Sequence, residues 1–257
     1  MIDLQQYFER IHYVGSANTS LAVLNQLQLA HLMHVPFENL DIQHHIKIDL
    51  GNLFNKIVIN KRGGFCYELN GLFYQLLKEI GFKATMISAR VYNDKTKIYS
   101  PEYDHLAITV SLEDGLYLSD VGFGEFALSP VKIEDGKETN DPRGIFKIEK
   151  ISGNDWVVAK KDDKGQYIPE YKFSGKERYI EEFYPRCLYH QTSPESHFMQ
   201  KIICSLPTQY GRITLTGNIF KITDGEVITE RTLHSGQEVQ QVLQDYFFSD
   251  AERRIIK

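Results

Sequence analysis

A double glycine followed by an apolar helical repeat fixes where one helix of this chain begins. Residues 62–70 read Arg-Gly-Gly-Phe-Cys-Tyr-Glu-Leu-Asn. Apolar side chains then recur at steps of three and four residues, at Leu69, Leu72, Phe73, Leu76, Leu77 and Ile80. Gly81 stands where a left-handed C-terminal cap is expected. The spacing therefore predicts a helix with Cys66 in its first turn.

A cysteine at a helix start is a candidate nucleophile. Cys66 shares the inward face of the helix with Leu69 and Phe73, yet it lies beside backbone N–H groups that lack intrahelical partners. Such a position favours the thiolate and lowers the pKa of a thiol from about 8.5. Gly63 and Gly64 let the chain turn sharply and leave room for a substrate carbonyl over the sulfur. The alternative is a buried structural cysteine that acts as a small hydrophobe.

Composition sets the class of protein. The chain has 257 residues, of which 42% are hydrophobic and 25% charged, so it can bury one large core or two or three packed lobes. It contains no apolar stretch of about 18 residues, and its N-terminus lacks the pattern of a signal peptide. We therefore expect a soluble, cytoplasmic protein with no membrane partner. The net charge of -5 argues against nucleic acid as a partner.

The cysteines and histidines give no metal signature. Three cysteines, Cys66, Cys187 and Cys204, are an odd number without paired spacing, which predicts reduced thiols, no disulfide framework and no Cys-x-x-Cys metal site. The histidines at 31, 34, 44 and 45 have no acid or cysteine beside them to complete a metal site. We interpret these four as exposed or capping residues.

Three regions follow one another along the chain. Residues 1–85 are predicted to be helical, with Asp3 and Ser20 as N-caps of two helices before the Cys66 helix. Residues 86–190 alternate apolar and polar side chains between repeated turn signals, which is typical of an antiparallel barrel. Residues 191–257 combine short strands with a closing helix capped by Ser235. The predicted fold class is α+β: a helical bundle, a central β-barrel and a C-terminal α/β lid.

A cysteine nucleophile needs a base and a group that orients this base. His105 and Asp120 are the best candidates, at the outer ends of a predicted hairpin. A two-residue turn at Asp114-Gly115 would pair Asp120 with Thr109. Asp120 would then lie on the same face as His105 but about 13 Å from it along the strand direction. Direct contact therefore requires a longer loop or a bulge that shifts the register. The alternative is a strand-end histidine and a solvated aspartate.

Four separated segments together resemble the arylamine N-acetyltransferase family. They are residues 62–70, Pro-Phe-Glu-Asn-Leu at 36–40, Asp-His-Leu at 104–106 and Asp-Val-Gly-Phe-Gly at 120–124. They occur in the family's order, and the resemblance extends over most of the chain. It implies the same three-part layout, with a papain-like or transglutaminase-like cysteine core.

The resemblance also implies roles for individual residues. Cys66 would be the acyl acceptor, His105 the base and Asp120 its orienting carboxylate, which implies that the fold solves the register problem. Phe37 and Phe123 would line the acceptor pocket.

Further residues would support this site. The resemblance implies an ion pair that braces the loop before the cysteine, and glycines that shape the loops on either side of it. These residues are Glu38, Arg62, Gly63, Gly64, Gly122 and Gly124.

The implied reaction moves an acetyl group from acetyl-CoA to an aromatic amine or hydrazine through an acetyl-cysteine, with ping-pong kinetics. Acetyl-CoA would be a substrate, and no metal and no tightly bound cofactor are expected.

Other activities remain open on the same residues. A cysteine hydrolase or thioesterase would release CoA at a rate that does not change when an aromatic amine is added. An amide synthase of the same fold would ignore acetyl-CoA. An inactive transglutaminase-like binding module would carry a thiol that is alkylated no faster than free cysteine.

Overall fold

The computed structural model describes residues 2–248, and all structural statements below concern these residues. The α-helices are α1 (Leu4–Arg10), α2 (Leu21–His34), α3 (Leu40–Gln43), α4 (Cys66–Ile80), α5 (Tyr184–Thr192), α6 (His197–Gln200) and α7 (Gly236–Leu243). A 3-10 turn lies at Ile180–Phe183, and π-helical turns lie at Asn55–Ile59 and Gln244–Phe248. No helix in this range is both long and apolar enough for a membrane span.

The strands follow in the same numbering. They are β1 (Phe37–Glu38), β2 (Lys83–Asn93), β3 (Ile98–Tyr99), β4 (His105–Leu112), β5 (Gly115–Ser119), β6 (Val131–Lys132), β7 (Lys137–Asp141), β8 (Gly144–Ser152), β9 (Asp155–Lys161), β10 (Tyr167–Ser174), β11 (Ile203–Pro207), β12 (Gly211–Thr216), β13 (Ile219–Asp224) and β14 (Val227–Thr232).

Helix α4 begins and ends where the sequence predicts. Cys66 is its first residue, and the Glu68 carboxylate accepts the N–H of Phe65 at 3.1 Å, which satisfies one unpaired donor of the first turn. Gly81 ends the helix with φ of 105° and donates its N–H to the carbonyl of Leu77. The apolar face is buried, so packing against the strands stabilises the helix more than its propensity does.

The larger sheet is antiparallel, in the order β6-β5-β4-β2-β10-β9-β8-β7, and β3 pairs with β2. Its end strand β6 contacts β7 and β8, so the sheet nearly closes into a barrel. Helix α4 packs against β2 and β4, which brings the start of the helix to the barrel. The α+β fold class with a central barrel is confirmed.

The smaller sheet has the order β1-β11-β12-β13-β14 and packs its apolar face against α7. Strand β1 comes from the first part of the chain, and Phe37 pairs with Ser205 of β11. This segment lies within residues 1–85, which the sequence pattern predicts to be helical. Residues 1–85 are therefore not wholly helical, because this segment supplies the edge strand of a distant sheet.

The division into residues 1–85, 86–190 and 191–257 stays a prediction. Helix α5 runs across the boundary between 190 and 191. The last nine residues of the third region, 249–257, lie outside the described residues.

The hairpin that carries His105 differs from the predicted one. Leu112 pairs with Gly115 and Ile108 with Ser119, so the two-residue turn is Glu113-Asp114 and not Asp114-Gly115. The Asp114 carboxylate accepts the Tyr117 hydroxyl at 2.6 Å and holds this turn. The register brings the two outer ends of the hairpin two residues closer together than the predicted turn does.

We expect Gly81→Ala to lower the free energy of unfolding by about 1–2 kcal/mol, because a side chain is strained in the left-handed region. Gly236→Ala is the matched control, since Gly236 begins α7 in open space and alanine favours a helix. Urea unfolding of both variants measures the effect. An equal loss in the two variants would contradict the cap assignment.

Candidate active site

Cys66, His105, Phe37 and Phe123 line one pocket of about 340 Å³. The pocket lies between the start of α4, the β4–β5 hairpin and the smaller sheet. Phe198 of α6 adds a third phenyl ring, which the sequence analysis missed because nothing local marks it. A larger groove of about 690 Å³, near Ser20, contains none of the predicted site residues.

His105 and Asp120 are in direct contact. The distance from His105 Nε2 to Asp120 Oδ2 is 2.6 Å, and both side chains are buried. In the observed register Asp120 lies diagonally across from His105 on the same face, an offset of about 7 Å that the two side chains span together. The contact therefore needs neither the longer loop nor the bulge that the predicted register required.

The Asp120 carboxylate is fully satisfied. Oδ2 accepts from His105 and from the Tyr171 hydroxyl at 2.9 Å, while Oδ1 accepts from Asn70 Nδ2 at 2.8 Å and from the Gly122 N–H at 2.9 Å. Four donors compensate the loss of water around a buried carboxylate.

This contact fixes the tautomer of the histidine. A carboxylate accepts and cannot donate, so Nε2 of a neutral His105 carries the hydrogen that bonds Asp120. Nδ1 then has a free lone pair. The arrangement can take up a proton at Nδ1 and hold the resulting imidazolium beside a negative charge.

The surroundings of Cys66 work against a free thiolate. Burial raises the pKa of the Cys66 thiol well above its usual value, and the Asp104 carboxylate adds to the shift. A hydrogen bond from the backbone of Leu106 lowers the pKa but does not outweigh burial. We expected the helix start to lower the pKa of Cys66. This expectation is wrong for the thiol by itself, without a base that takes its proton, because Cys66 is only 4% exposed and burial raises its pKa. At this position the neutral thiol is therefore favoured over the thiolate.

Asn70 ties the helix to the histidine and aspartate. Its Nδ2 also donates to the carbonyl of Leu106 at 2.7 Å, and its Oδ1 accepts the N–H of Val121 at 2.9 Å. Asn70 was not predicted as a site residue, although it lies one turn after Cys66 on the same face of the helix, a spacing that could have identified it. For Tyr171, whose hydroxyl also bonds Asp120, we find no comparable spacing in the sequence.

A chain of alternating charges lies under the start of α4. Arg62 contacts Glu38 at 2.8 Å and Asp41 at 2.9 Å, and Lys56 contacts Asp41 at 2.7 Å and Glu68 at 2.8 Å. The predicted pair of Glu38 and Arg62 is thus the first link of a longer network. Burial raises the pKa of Glu68 to about 7 against the opposing effect of Lys56.

The two glycines before the cysteine are needed for close packing. A Cβ at Gly63 would meet the carbonyl oxygen of Pro36, and a Cβ at Gly64 would lie 2.7 Å from the Cβ of Glu68. The bond from the Glu38 N–H to the Gly64 carbonyl, at 2.9 Å, holds this loop against β1. The close contacts of these glycines are thus with β1 and the first turn of α4. The room that they were predicted to leave over the sulfur stays a prediction.

Asp104, which also lines the pocket, bonds an arginine and a histidine of α5. Its Oδ1 accepts from Arg186 Nε at 2.6 Å and lies 3.1 Å from His190 Nε2. Burial opposes ionisation of Asp104, but His190 and Arg186 outweigh it and lower the pKa of the carboxyl to about 2. Asp104 is therefore an anion whose charge is balanced from outside the pocket.

His31, Cys187 and Cys204 are not among the residues that line the pocket. His31 is fully buried and bonds the Tyr7 hydroxyl at 2.8 Å, so its interpretation as exposed or capping is wrong. All three cysteines are free and buried. Within residues 2–248 no group of three or more His, Cys, Asp or Glu side chains could hold a metal ion.

The cysteine at a helix start lines one pocket with a histidine that bonds a buried aspartate, and this arrangement in an α+β fold defines a papain-like cysteine core. Residues 20–254 match the family model described as N-acetyltransferase. The chain is 34% identical to the arylamine N-acetyltransferase pineal gland isozyme NAT-3 of Gallus gallus, covering 99% of this chain and 97% of that protein. It belongs to the arylamine N-acetyltransferase family.

Solved structures agree with this assignment. The arylamine N-acetyltransferase of Salmonella typhimurium superposes with a TM-score of 0.90 at 26% identity, over 97% of this chain and 93% of that one. The Mycobacterium marinum enzyme in complex with CoA gives 0.86 at 28% identity, over 95% and 92%.

Gly122 and Gly124 differ in the space that a side chain would find. A Cβ at Gly122 would lie 2.8 Å from the Cα of Cys66, whereas a Cβ at Gly124 would meet nothing within 4 Å. We expect Gly122→Ala to lower the free energy of unfolding by about 1–3 kcal/mol, because the loop must move away from α4. Gly124→Ala serves as the control and should lose less than half as much in the same urea titration. Two equal losses would contradict the close approach at Gly122.

Proposed function

We propose that this protein transfers an acetyl group from acetyl-CoA to the amino group of an aromatic amine or hydrazine, through an acetyl-Cys66 intermediate. The observation that carries the proposal is the contact of His105 Nε2 with Asp120 in the pocket that Cys66 lines, because it leaves Nδ1 free to take a proton. The relatives named for arylamine N-acetylation support the reaction, and the M. marinum complex supports CoA as the donor.

The first half-reaction begins with proton transfer. His105 Nδ1 takes the proton from the Cys66 sulfur, and Asp120 stabilises the imidazolium, which offsets the effect of burial on the thiol. The thiolate attacks the thioester carbonyl carbon. Backbone N–H groups near the start of α4 stabilise the oxyanion, each worth about 3 kcal/mol. The CoA thiolate then leaves and takes from His105 the proton that came from Cys66.

The second half-reaction uses the same groups in reverse. The neutral amine attacks the acetyl carbon on Cys66 and gives a proton to His105, and the sulfur leaves as a thiolate. Phe37 and Phe123 form the aromatic walls of the acceptor site, and the ring of Phe123 lies 5.1 Å from that of His105. Apolar walls limit access of water to the acetyl-cysteine.

The residues around the site hold the loops on either side of Cys66 in place. Glu38 and Arg62 hold the loop before Cys66 against β1, with Gly63 and Gly64 allowing the close packing. On the other side Gly122 lets the loop after Asp120 approach the first turn of α4. Neither arrangement needs a metal or a resident cofactor for the chemistry proposed.

Mass spectrometry after incubation with acetyl-CoA tests the intermediate. We expect one added acetyl group on the Cys66 peptide, and its loss on addition of an aromatic amine. Cys66→Ala should neither gain the group nor turn over, while Cys204→Ala, a control at another buried thiol, should still be acetylated. An acetyl-cysteine that disappears at the same rate without amine would instead indicate a thioesterase.

The pH dependence of alkylation tests the role of His105. Because burial raises the pKa of Cys66, we expect His105→Gln to react with iodoacetamide only at alkaline pH, whereas the wild type reacts near neutrality. Cys187 is an internal reference, since burial raises its pKa to about 12. Equal labelling of Cys66 at neutral pH in both proteins would show that another group takes the proton.

A further inference from the structure

Helix α6 is a single turn of four residues, and it carries Phe198 into the wall of the Cys66 pocket. The centroid of the Phe198 ring lies 6.0 Å from that of Phe37 and 5.6 Å from that of Phe65. A helix of this length has too few internal hydrogen bonds to be stable by itself. The position of this aromatic wall therefore depends on contacts that other elements make with α6.

Two amide side chains hold the last part of α6. The Phe198 carbonyl accepts from Asn39 Nδ2 at 2.8 Å and from Gln43 Nε2 at 2.6 Å. Asn39 Nδ2 also donates to the carbonyl of Lys201, the residue that follows the helix, at 2.8 Å. These bonds all lie beyond the first residue of α6, so the start of the helix needs a separate support.

His190 of α5 supplies that support. Its Nε2 lies 3.1 Å from Asp104 Oδ1, and its Nδ1 lies 3.2 Å from the hydroxyl of Ser196. A carboxylate only accepts, so Nε2 of a neutral His190 donates to Asp104, and Nδ1 accepts the Ser196 hydroxyl. Ser196 is the N-cap of α6, yet its side chain makes no capping bond. Three bonded side chains thus run from the residue before His105 to the start of α6.

The Asp104 end of this chain is fixed by its own backbone. Tyr103, the preceding residue, has a φ of 65°, which is strained for a residue with a side chain. Its N–H donates to the Ser88 hydroxyl at 2.8 Å, and its carbonyl accepts the Tyr67 hydroxyl at 2.7 Å. Such strain persists only where the surroundings fix the backbone. Asp104 is therefore a firm anchor for His190.

His190 contacts the aromatic wall and not the space inside the pocket. Its ring centroid lies 5.2 Å from that of Phe198, at an interplanar angle of 81°. His190 is 3% exposed, and among the described residues that line the pocket it does not occur. Any effect of His190 on a ligand must therefore pass through residues that do line the pocket, of which it contacts Phe198 and Asp104.

We propose that His190 is a positioning residue for the aromatic acceptor: by joining Asp104 to Ser196, it fixes the start of α6 so that Phe198 packs against the acceptor ring. This inference rests on the proposed function for the reaction itself. The contact between His105 and Asp120 does not involve His190. Loss of His190 should therefore weaken use of a ring-bearing acceptor and spare the chemistry at the sulfur.

Two nucleophiles test this separation on acetylated Cys66. His190→Phe retains a ring and removes both hydrogen bonds. We expect it to lower the second-order rate constant for deacetylation by 4-methoxyaniline at least tenfold. Hydroxylamine has no ring, so its rate constant should change less than twofold, as should that for acetylation by acetyl-CoA. Mass spectrometry follows each step. Equal slowing by both nucleophiles would overturn the inference, because His190 would then act on the catalytic groups.

His31→Phe is the matched control. His31 is also a buried histidine bonded to a hydroxyl, that of Tyr7 at 2.8 Å, and it does not line the pocket. This variant should keep the wild-type ratio of the two rate constants even where it lowers the free energy of unfolding. The same change of ratio in both variants would show an effect of lost stability, and would contradict a positioning role.

A double-mutant cycle tests the route through Phe198. In a Phe198→Leu background, His190→Phe should slow 4-methoxyaniline by less than a further factor of two, because the ring that it positions is gone. Ser196→Ala breaks only the bond to α6 and should show part of the change in ratio, which keeps the test valid if His190→Phe folds poorly. Additive effects in the cycle, or a wild-type ratio in Ser196→Ala, would overturn the inference.

Failure of the proposed function gives a different result, seen in the wild type alone. If acetyl-Cys66 does not form, or if 4-methoxyaniline does not accelerate its loss, the proposed function fails. If the wild type transfers the acetyl group to this amine and the His190 and Ser196 variants keep its ratio of rate constants, only the positioning role fails.

Discussion

The buried carboxylate of Asp120 is the interaction on which the site depends. It joins helix α4 through Asn70, strand β4 through His105 and strand β10 through Tyr171, and it bonds its own loop at Gly122. A carboxylate removed from water is tolerated only when donors replace its hydration, so each of these elements must be in place at once. The imidazole is consequently held at one angle and in one tautomer.

The cysteine is held in place from two sides. Beneath the helix, alternating charges link Glu38 through Arg62 and Asp41 to Lys56 and Glu68, and they bond the loop and first turn that carry the sulfur. Above it, the loop after Asp120 approaches so closely that only glycine fits at position 122. The resulting burial raises the pKa of the thiol, and in the proposed reaction the neighbouring imidazole accepts its proton.

The charges around the pocket are balanced unequally. Asp104 bonds Arg186 and His190 of helix α5, whereas Arg212 has neutral acceptors only. A buried charge with an oppositely charged partner mainly stabilises the structure. A buried charge without such a partner favours ligands of opposite charge in the pocket. The smaller sheet therefore places an arginine in the wall of a pocket that aromatic rings also line.

Local signals were enough to predict the start of α4 at Cys66, its end at Gly81, the cap at Ser235 and the alternation of the hairpin strands. The four family segments of the sequence also identified Cys66, His105 and Asp120 as the residues to examine. Tertiary structure alone decided the hairpin register, the burial that raises the pKa of the thiol, and the contacts of Asn70 and Tyr171 with Asp120, about 50 residues away in either direction. The physical reason is that capping and alternation act over a few residues, whereas burial and charge balance are set by segments that meet only when the chain is folded.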